Sequence, residues 1–268
     1  MIKLTILSEK LPELTNEQFK HEFREVHANQ TKGVATNLGI ILKYVQGLAL
    51  PLVGQKSLPN LPLKEGKDCH SYAQLTWPAL AVMQGSFLTE DYRNSAGKHR
   101  FASPQMIFLT EQLDQIHGIE SKSGDEICVV VVVQAKSEGS DFEKRWATHA
   151  SYCLSICPKY TRNRVVPLKY SQIGTIFAGT QFDPSRVVAS GGYEEFCFGG
   201  HAEAEDFFHR YGNKLGESYS QFLDDTQSCC YAFDRLVQFA DSDRGLWQKA
   251  FGLVVSTGLR AKVYWGLP

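Results

Sequence analysis

The chain has 268 residues, a formal net charge of −1, 43% hydrophobic and 21% charged residues, a composition typical of a folded protein with one or two domains. The near-neutral charge excludes the basic footprint of a nucleic-acid partner, and the most apolar run, residues 129–133, is far shorter than the ~20 residues of a membrane span. Seven cysteines without zinc or disulfide spacing favour a reducing compartment, so we expect a soluble cytoplasmic protein.

The first part of the chain mixes strand and helix patterns. Thr15 followed by Gln18 is a capping-box pattern and predicts the start of a helix. On that helix Phe19, Phe23 and His27 recur at helical spacing, so we expect them to share its inward side. The predicted elements are a strand at 3–8, this helix up to 38–39, strands at 40–48 and 71–76, a helix at 78–96 and a strand at 105–111.

The second part repeats this order of elements. A run of valines predicts a buried strand, and Ser140 is a good helix cap. The predicted elements are a strand at 127–134, a helix from 140, strands at 164–173 and 193–198, a helix at 201–224, a strand at 228–239 and a helix near 246–255.

Two short patterns occur twice in the same order. The sequence LKYVQ at 42–46 reappears as LKYSQ at 168–172, and Phe19 matches Phe142 at a similar offset. Repeats at a near-constant offset predict two copies of one unit. We therefore predict an α+β fold of tandem ferredoxin-like (βαββαβ) repeats that form an intramolecular dimeric α/β-barrel. The predicted repeats are residues 1–116 and 124–241, followed by a helical tail at 242–268.

This architecture and the first predicted helix resemble the EthD-like family of the dimeric α/β-barrel superfamily. The spacing Phe19-x3-Phe23-x3-His27 is similar to the family pattern Phe-x3-Trp/Tyr-x3-His. In the second copy, which ends at His149, one residue fewer precedes the histidine. The resemblance covers nearly the whole chain at the level of the fold.

The region after the second predicted helix also looks like the family. Residues 91–93 and 100–101 are similar to its aspartate-rich turn and following basic-aromatic pair, and His99 stands near where an acidic residue is common. The resemblance implies an enzyme without a cofactor that cyclises, dehydrates, decarboxylates or oxygenates aromatic or polyketide-type substrates. We accordingly expect no cofactor and a small hydrophobic partner.

His27, Tyr72, His99 and His149 are the predicted catalytic residues. Each of the two helix histidines lies on an apolar helix side, so its imidazole should face the sheet and could act as a general acid or base. The alternative for each is a core histidine bonded to a backbone carbonyl. Tyr72 and His99 are predicted to join His27 in one cavity. We expect the first repeat to be active and the second to be mainly structural.

Five further residues are predicted to bind substrate or to orient an imidazole: Tyr44, His70, Phe23, Trp77 and Asp91. A phenol such as that of Tyr44 can donate a hydrogen bond to a carbonyl or enolate oxygen, although a tyrosine packed in the sheet is the alternative. His201 and His209 share a helix but lack the glutamate of zinc-protease motifs, so no metal site is predicted.

The favoured interpretation is a cofactor-independent lyase or cyclase, of dehydratase or decarboxylase type, in polyketide-type secondary metabolism. The alternatives are a cofactor-free oxygenase, a haem protein with one inward histidine on the iron, and a small-molecule-binding or stress protein of the same fold. The two repeats are expected to form an internal pseudo-dimer, and pairing of two chains as a homodimer is a further option.

Overall fold

A computed structural model describes residues 1–98, 100–115, 126–136, 140–157, 159–240 and 252–259. Its strands are β1 (Ile2–Lys10), β2 (Lys43–Ala49), β3 (Ser71–Trp77), β4 (Ala102–Gln115), β5 (Glu126–Val133), β6 (Tyr160–Val165), β7 (Gly192–Phe198) and β8 (Cys229–Ala240). Its α-helices are α1 (Asn16–His21), α2 (Ala28–Leu38), α3 (Leu80–Phe87), α4 (Glu90–Asn94), α5 (Ser140–Ile156), α6 (Tyr170–Ile176), α7 (His201–Ser220) and α8 (252–259).

The eight strands of the described chain close into one antiparallel barrel. The order around it is β1-β3-β2-β8-β5-β7-β6-β4, and β4 pairs again with β1. Two ladders, β2 with β8 and β4 with β6, join the first four strands to the last four. Closure removes the free strand edges that an open sheet would expose.

Alternation gives each strand one face inside the barrel and one face toward the helices. On β3, Tyr72 points inward and packs against Phe233 of β8, with ring centroids 4.8 Å apart. Its neighbours Ala73 and Leu75 point outward, toward the helices of the first half. Both faces are buried, because side chains fill the barrel and helices cover its outside.

A polar network crosses the middle of the barrel. The ammonium group of Lys3 donates to Asn163 Oδ1 at 3.0 Å and lies 3.8 Å from Glu195 Oε2. Gln74 Nε2 donates to Glu195 Oε1 at 3.2 Å and to Tyr193 Oη at 3.0 Å. Burial lowers the pKa of Lys3 to about 8, although Glu195 acts in the opposite direction.

The two LKYxQ patterns are not equivalent in the structure, so the predicted strand at 164–173 is wrong. The strand β6 ends at Val165, and Tyr170 is the first residue of α6 with a side chain 71% exposed. Tyr44, by contrast, is fully buried in β2. Pro167 lacks a backbone N–H for strand pairing, which explains why the strand stops before it.

Other predicted elements agree more closely with the structure. The capping box is confirmed, because Thr15 N–H donates to Gln18 Oε1 and Gln18 N–H donates to Thr15 Oγ1. The predicted helix at 78–96 is instead two short helices, α3 and α4. The predicted linker between the repeats, 116–124, lies outside the described residues. Of the predicted tail, only α8 is described. No helix in the described ranges combines the length and apolarity needed to cross a bilayer.

Replacement of the tyrosine in each LKYxQ pattern should show that the two tyrosines contribute differently to stability. We expect Tyr44→Ala to lower the free energy of unfolding by about 3 kcal/mol, because it leaves a cavity beneath the first helices. We expect Tyr170→Ala to change it by less than about 0.5 kcal/mol, because that side chain faces solvent. Urea unfolding of both variants measures the difference. Equal losses would restore the idea that the two patterns are equivalent.

The buried Lys3 should make stability depend on pH. Its pKa is about 8 in the folded chain against an ordinary 10.5. Between these values the unfolded chain binds more protons, so stability should rise with pH, by up to about 3 kcal/mol. We expect Lys3→Met to remove this gain in unfolding measurements at pH 7.5 and 10, while Lys144→Met, at an exposed lysine, keeps it. Parallel curves for wild type and Lys3→Met would contradict the prediction.

Candidate active site

A narrow cavity lies between the outer face of the barrel and the helices of the first half of the chain. Its volume is about 40 Å³, which is room for two or three water molecules. Strands β1 and β3 supply one wall, and the helices supply the other. The lining side chains that matter for chemistry are Phe23, His27, Thr31, Ala73, Trp77, Phe87, Tyr92 and Phe101.

A π-helical turn, Glu22–His27, connects α1 to α2 and carries His27. In a regular α-helix, a residue eight positions further on is rotated by about 80°. A π turn is closed by i→i+5 hydrogen bonds and holds one extra residue, so it takes up this rotation. Phe19, Phe23 and His27 are therefore all buried on the inward side. Turns of this kind are frequent at functional sites.

The imidazole of His27 lies in a mainly aromatic environment. Its side chain is 6% exposed, and its ring centroid is 5.0 Å from that of Phe101. Among the described residues that line the cavity, His27 and Tyr92 are the titratable ones. Burial raises the pKa of Tyr92, so its phenol stays protonated at neutral pH and can act as a hydrogen-bond donor.

The indole of Trp77 supplies a second polar group. Its Nε1 is buried and makes no hydrogen bond to any described residue. Buried N–H groups are normally paired, so this donor is suited to an oxygen atom of a bound molecule. The cavity thus combines flat apolar walls with a histidine and two donors, an arrangement that fits an aromatic ligand with few polar atoms.

Tyr72 does not share this cavity, which corrects its predicted place beside His27. It lies on the inner face of β3, whereas Ala73 and Trp77 on the outer face line the cavity. The prediction misjudged the face because the barrel buries both sides of the strand. Hydrophobicity alone therefore does not show which side the helices cover.

Three other predicted residues lie away from His27. His70 is half-buried at the start of β3, where its Nδ1 accepts a hydrogen bond from Lys10 N at 3.3 Å and its ring lines a separate groove at one end of the barrel. Burial and the charge of Lys10 lower its pKa. Asp91 is exposed on α4 and does not line the cavity. Tyr44 is buried behind the wall, where it hydrogen-bonds to Thr31.

His99 lies outside the described residues, so its predicted catalytic role stays a prediction. Phe23 and Trp77, which were predicted to bind substrate, do line the cavity. Sequence reasoning missed Tyr92, although a signal was present: it is the one apolar residue of α4 (EDYRN), so it must face inward while Asp91 faces out.

The corresponding space in the second half is filled by side chains. His149 lies on α5, where its Nδ1 is 2.8 Å from Ser218 Oγ and its Nε2 is 3.6 Å from Glu194 Oε2. Glu194 is the third residue of β7, as Ala73 is the third residue of β3. Burial raises the pKa of Glu194, but His149 and the Tyr219 hydroxyl outweigh this, so the pKa is lowered. This packing favours a structural role for His149.

Comparison with known protein families finds a match in the first half of the chain. Residues 11–105, which supply most of the cavity wall, match the family model described as the EthD domain. The predicted resemblance to EthD-like proteins is thus confirmed over these residues.

One curated relative has an enzyme name. Chalcone isomerase cfoK of Aspergillus candidus is 31% identical over 113 residues, which are 42% of this chain and 43% of the relative. The match thus spans less than half the length of that protein. A solved structure from Lactobacillus acidophilus NCFM, described as a monooxygenase, has a TM-score of 0.47 at 9% identity and covers 89% of this chain and 96% of the other. A likeness this low says nothing about the reaction.

The π turn should tolerate the loss of one residue. We expect deletion of the exposed Glu25 to convert the turn to regular α-helix at a cost of about 1 kcal/mol or less, because seven positions of regular helix keep His27 on the same side as Phe19. Deletion of the exposed Ser151 in the regular helix α5 should cost more than about 3 kcal/mol, because it shifts the buried face. Denaturant unfolding of the two variants measures this, and equal costs would contradict the prediction.

Proposed function

We propose that the protein is a cofactor-independent acid/base enzyme that closes a ring in an aromatic, polyketide-derived substrate. The observation that carries the proposal is the imidazole of His27 in the wall of an apolar, aromatic cavity. The EthD match over this half of the chain and the name of the chalcone isomerase relative support it. Dehydration or decarboxylation could use the same groups, but ring closure needs the fewest.

The proposed substrate is an α,β-unsaturated ketone with a phenol near the double bond. His27 removes the phenolic proton, and the phenolate oxygen forms a bond to the β-carbon. The negative charge moves to the ketone oxygen, where the Trp77 N–H or the Tyr92 hydroxyl donates a hydrogen bond. The imidazolium of His27 then returns the proton to the α-carbon. The reaction is an isomerisation, so no atoms and no electrons are gained or lost.

A substrate of this size requires one wall of the cavity to move. The present volume is below the roughly 300 Å³ or more of typical ligand pockets. The barrel wall is fixed by strand pairing on both sides. We infer that Phe87 and Tyr92, which come from the short helices α3 and α4, move aside when the substrate binds.

We further propose that residues 1–116 and 124–241 are two ferredoxin-like units that form an internal pseudo-dimer. Two observations support this: the strand order is fourth, first, third, second in each half, and His27 and His149 lie on matching helices. In this arrangement the first unit binds the small aromatic substrate. The second unit completes the barrel.

Replacement of His27 tests the function. We expect wild-type protein to convert ortho-hydroxylated chalcone-type enones, followed by the loss of enone absorbance. His27→Gln should lower kcat/KM by about 10²–10⁴-fold, the usual contribution of a general acid or base. His70→Gln is the matched control, because that histidine lies outside the cavity, and it should retain full activity. Circular dichroism checks that both variants are folded.

Other outcomes would assign other functions. Full activity in His27→Gln would remove the histidine from the mechanism. Oxygen consumption with phenolic substrates would assign the cofactor-free oxygenase. Tight binding of the same compounds without turnover would assign a small-molecule-binding protein.

A further inference from the structure

Three potential metal ligands meet in the core of the second half. His149 and Cys153 are one turn apart on α5, and Glu194 faces them from β7. Their donor atoms all lie within 4.8 Å of one another, and all three residues are buried. His149 Nε2 is 3.2 Å from Cys153 Sγ and 3.6 Å from Glu194 Oε2. Neighbouring ligands of a tetrahedral zinc ion are about 3.3–3.8 Å apart, as its bond lengths of 2.0–2.3 Å require.

Outer contacts hold the ligand atoms in this orientation. Ser218 Oγ lies 2.8 Å from Nδ1 of His149, which leaves Nε2 directed at the other two ligands. Trp146 Nε1 donates to Oε1 of Glu194 at 2.5 Å, and Oε2, which accepts from the Tyr219 hydroxyl, lies on the side of the histidine. Hydrogen bonds of this kind to the outer nitrogen of a histidine and to the second carboxylate oxygen are the usual support of protein metal sites.

A fourth oxygen lies close to the same point. The hydroxyl of Tyr160 is buried, and Glu194 and Cys153 are among the groups that act electrostatically on it. It lies within hydrogen-bonding reach of Glu194, but the geometry of that contact is poor. A buried hydroxyl with a poor hydrogen bond would gain a better contact from an ion bound beside it.

We propose that His149, Cys153 and Glu194 bind a divalent zinc-type ion, with the Tyr160 hydroxyl at the fourth position. A mixed set of nitrogen, thiolate and carboxylate ligands suits zinc rather than magnesium or calcium. On binding, the thiol of Cys153 loses its proton to solvent, and the charges of thiolate and carboxylate balance those of the ion. The site is buried, so its role is to fasten α5 to β7. It is independent of the chemistry at His27.

An ion can reach this site from the surface. His149 and Ser218 line an open groove of about 550 Å³ between α5 and α7. The groove leads to the histidine from the side opposite the barrel.

Cobalt binding to the full chain tests the site. After treatment with a chelator, we expect the wild-type protein to bind one equivalent of Co²⁺ and to show the near-ultraviolet charge-transfer band of a cobalt thiolate. Cys153→Ser should lose this band. Cys157→Ser is the matched control, because Cys157 is a buried thiol near the end of the same helix but outside the cluster, and it should keep the band.

Zinc should also raise the thermal midpoint of the wild type and of Cys157→Ser, but not that of Cys153→Ser. Less than stoichiometric metal in the wild type would overturn the proposal whatever the variants do, so misfolding of Cys153→Ser does not decide the result. A cobalt band that persists in Cys153→Ser or disappears in Cys157→Ser would also overturn it.

Discussion

The closed sheet is the constraint on which the rest of the molecule depends. Because β2 pairs with β8 and β4 pairs with β6, every strand lies between two others and its backbone groups are held on both sides. Packed side chains fill the interior, which includes the network around Lys3 and Glu195. Chemistry that needs space is therefore confined to the outer face, beneath the helices. Both histidines of interest lie on that face.

The two halves have the same strand order but differ in how side chains pack around their helix histidines. At the third position of the outer-face strand, β3 has the small Ala73 and β7 has Glu194. At the first position, β7 has Gly192, where a Cβ atom would lie 2.0 Å from the backbone oxygen of Asn163 and 2.9 Å from the ring of Trp146, so the absent side chain lets both β6 and the indole approach the strand. A small residue thus leaves a cavity beside His27, whereas a carboxylate and an indole remove it beside His149. Asymmetry at two strand positions accounts for one open and one filled site.

Local patterns in the sequence predicted local structure well. The capping box at Thr15 was correct, and the order of strands and helices in the first half was correct apart from the break between α3 and α4. The predictions were wrong where the structure depends on a residue outside the matched pattern or on a burial that the sequence pattern does not show. The five-residue LKYxQ match was misleading because Pro167, just before its second copy, ends the strand. Tyr72 was assigned to the wrong face because a barrel that is buried on both sides shows no alternation of polar and apolar residues.

The contacts of Glu194 with His149 could not be predicted from the sequence, because they join residues that are 45 positions apart and meet only when α5 packs on the outer face of β7. The difference around the two helix histidines was visible, but its meaning was not. Three residues separate Phe23 from His27, and two separate Trp146 from His149. Only the structure shows that the extra residue forms a π turn.

Because of that turn, the number of residues between the helix aromatic and the histidine is related to where the imidazole lies. In any related chain, the number of residues between the helix aromatic and the next histidine can be read without coordinates. In this chain a spacing of three residues accompanies the π turn and a ring in the cavity wall, and a spacing of two accompanies a regular helix and a ring in the core. The same count in a related chain predicts, for each half, whether its histidine borders a cavity or is packed in the core.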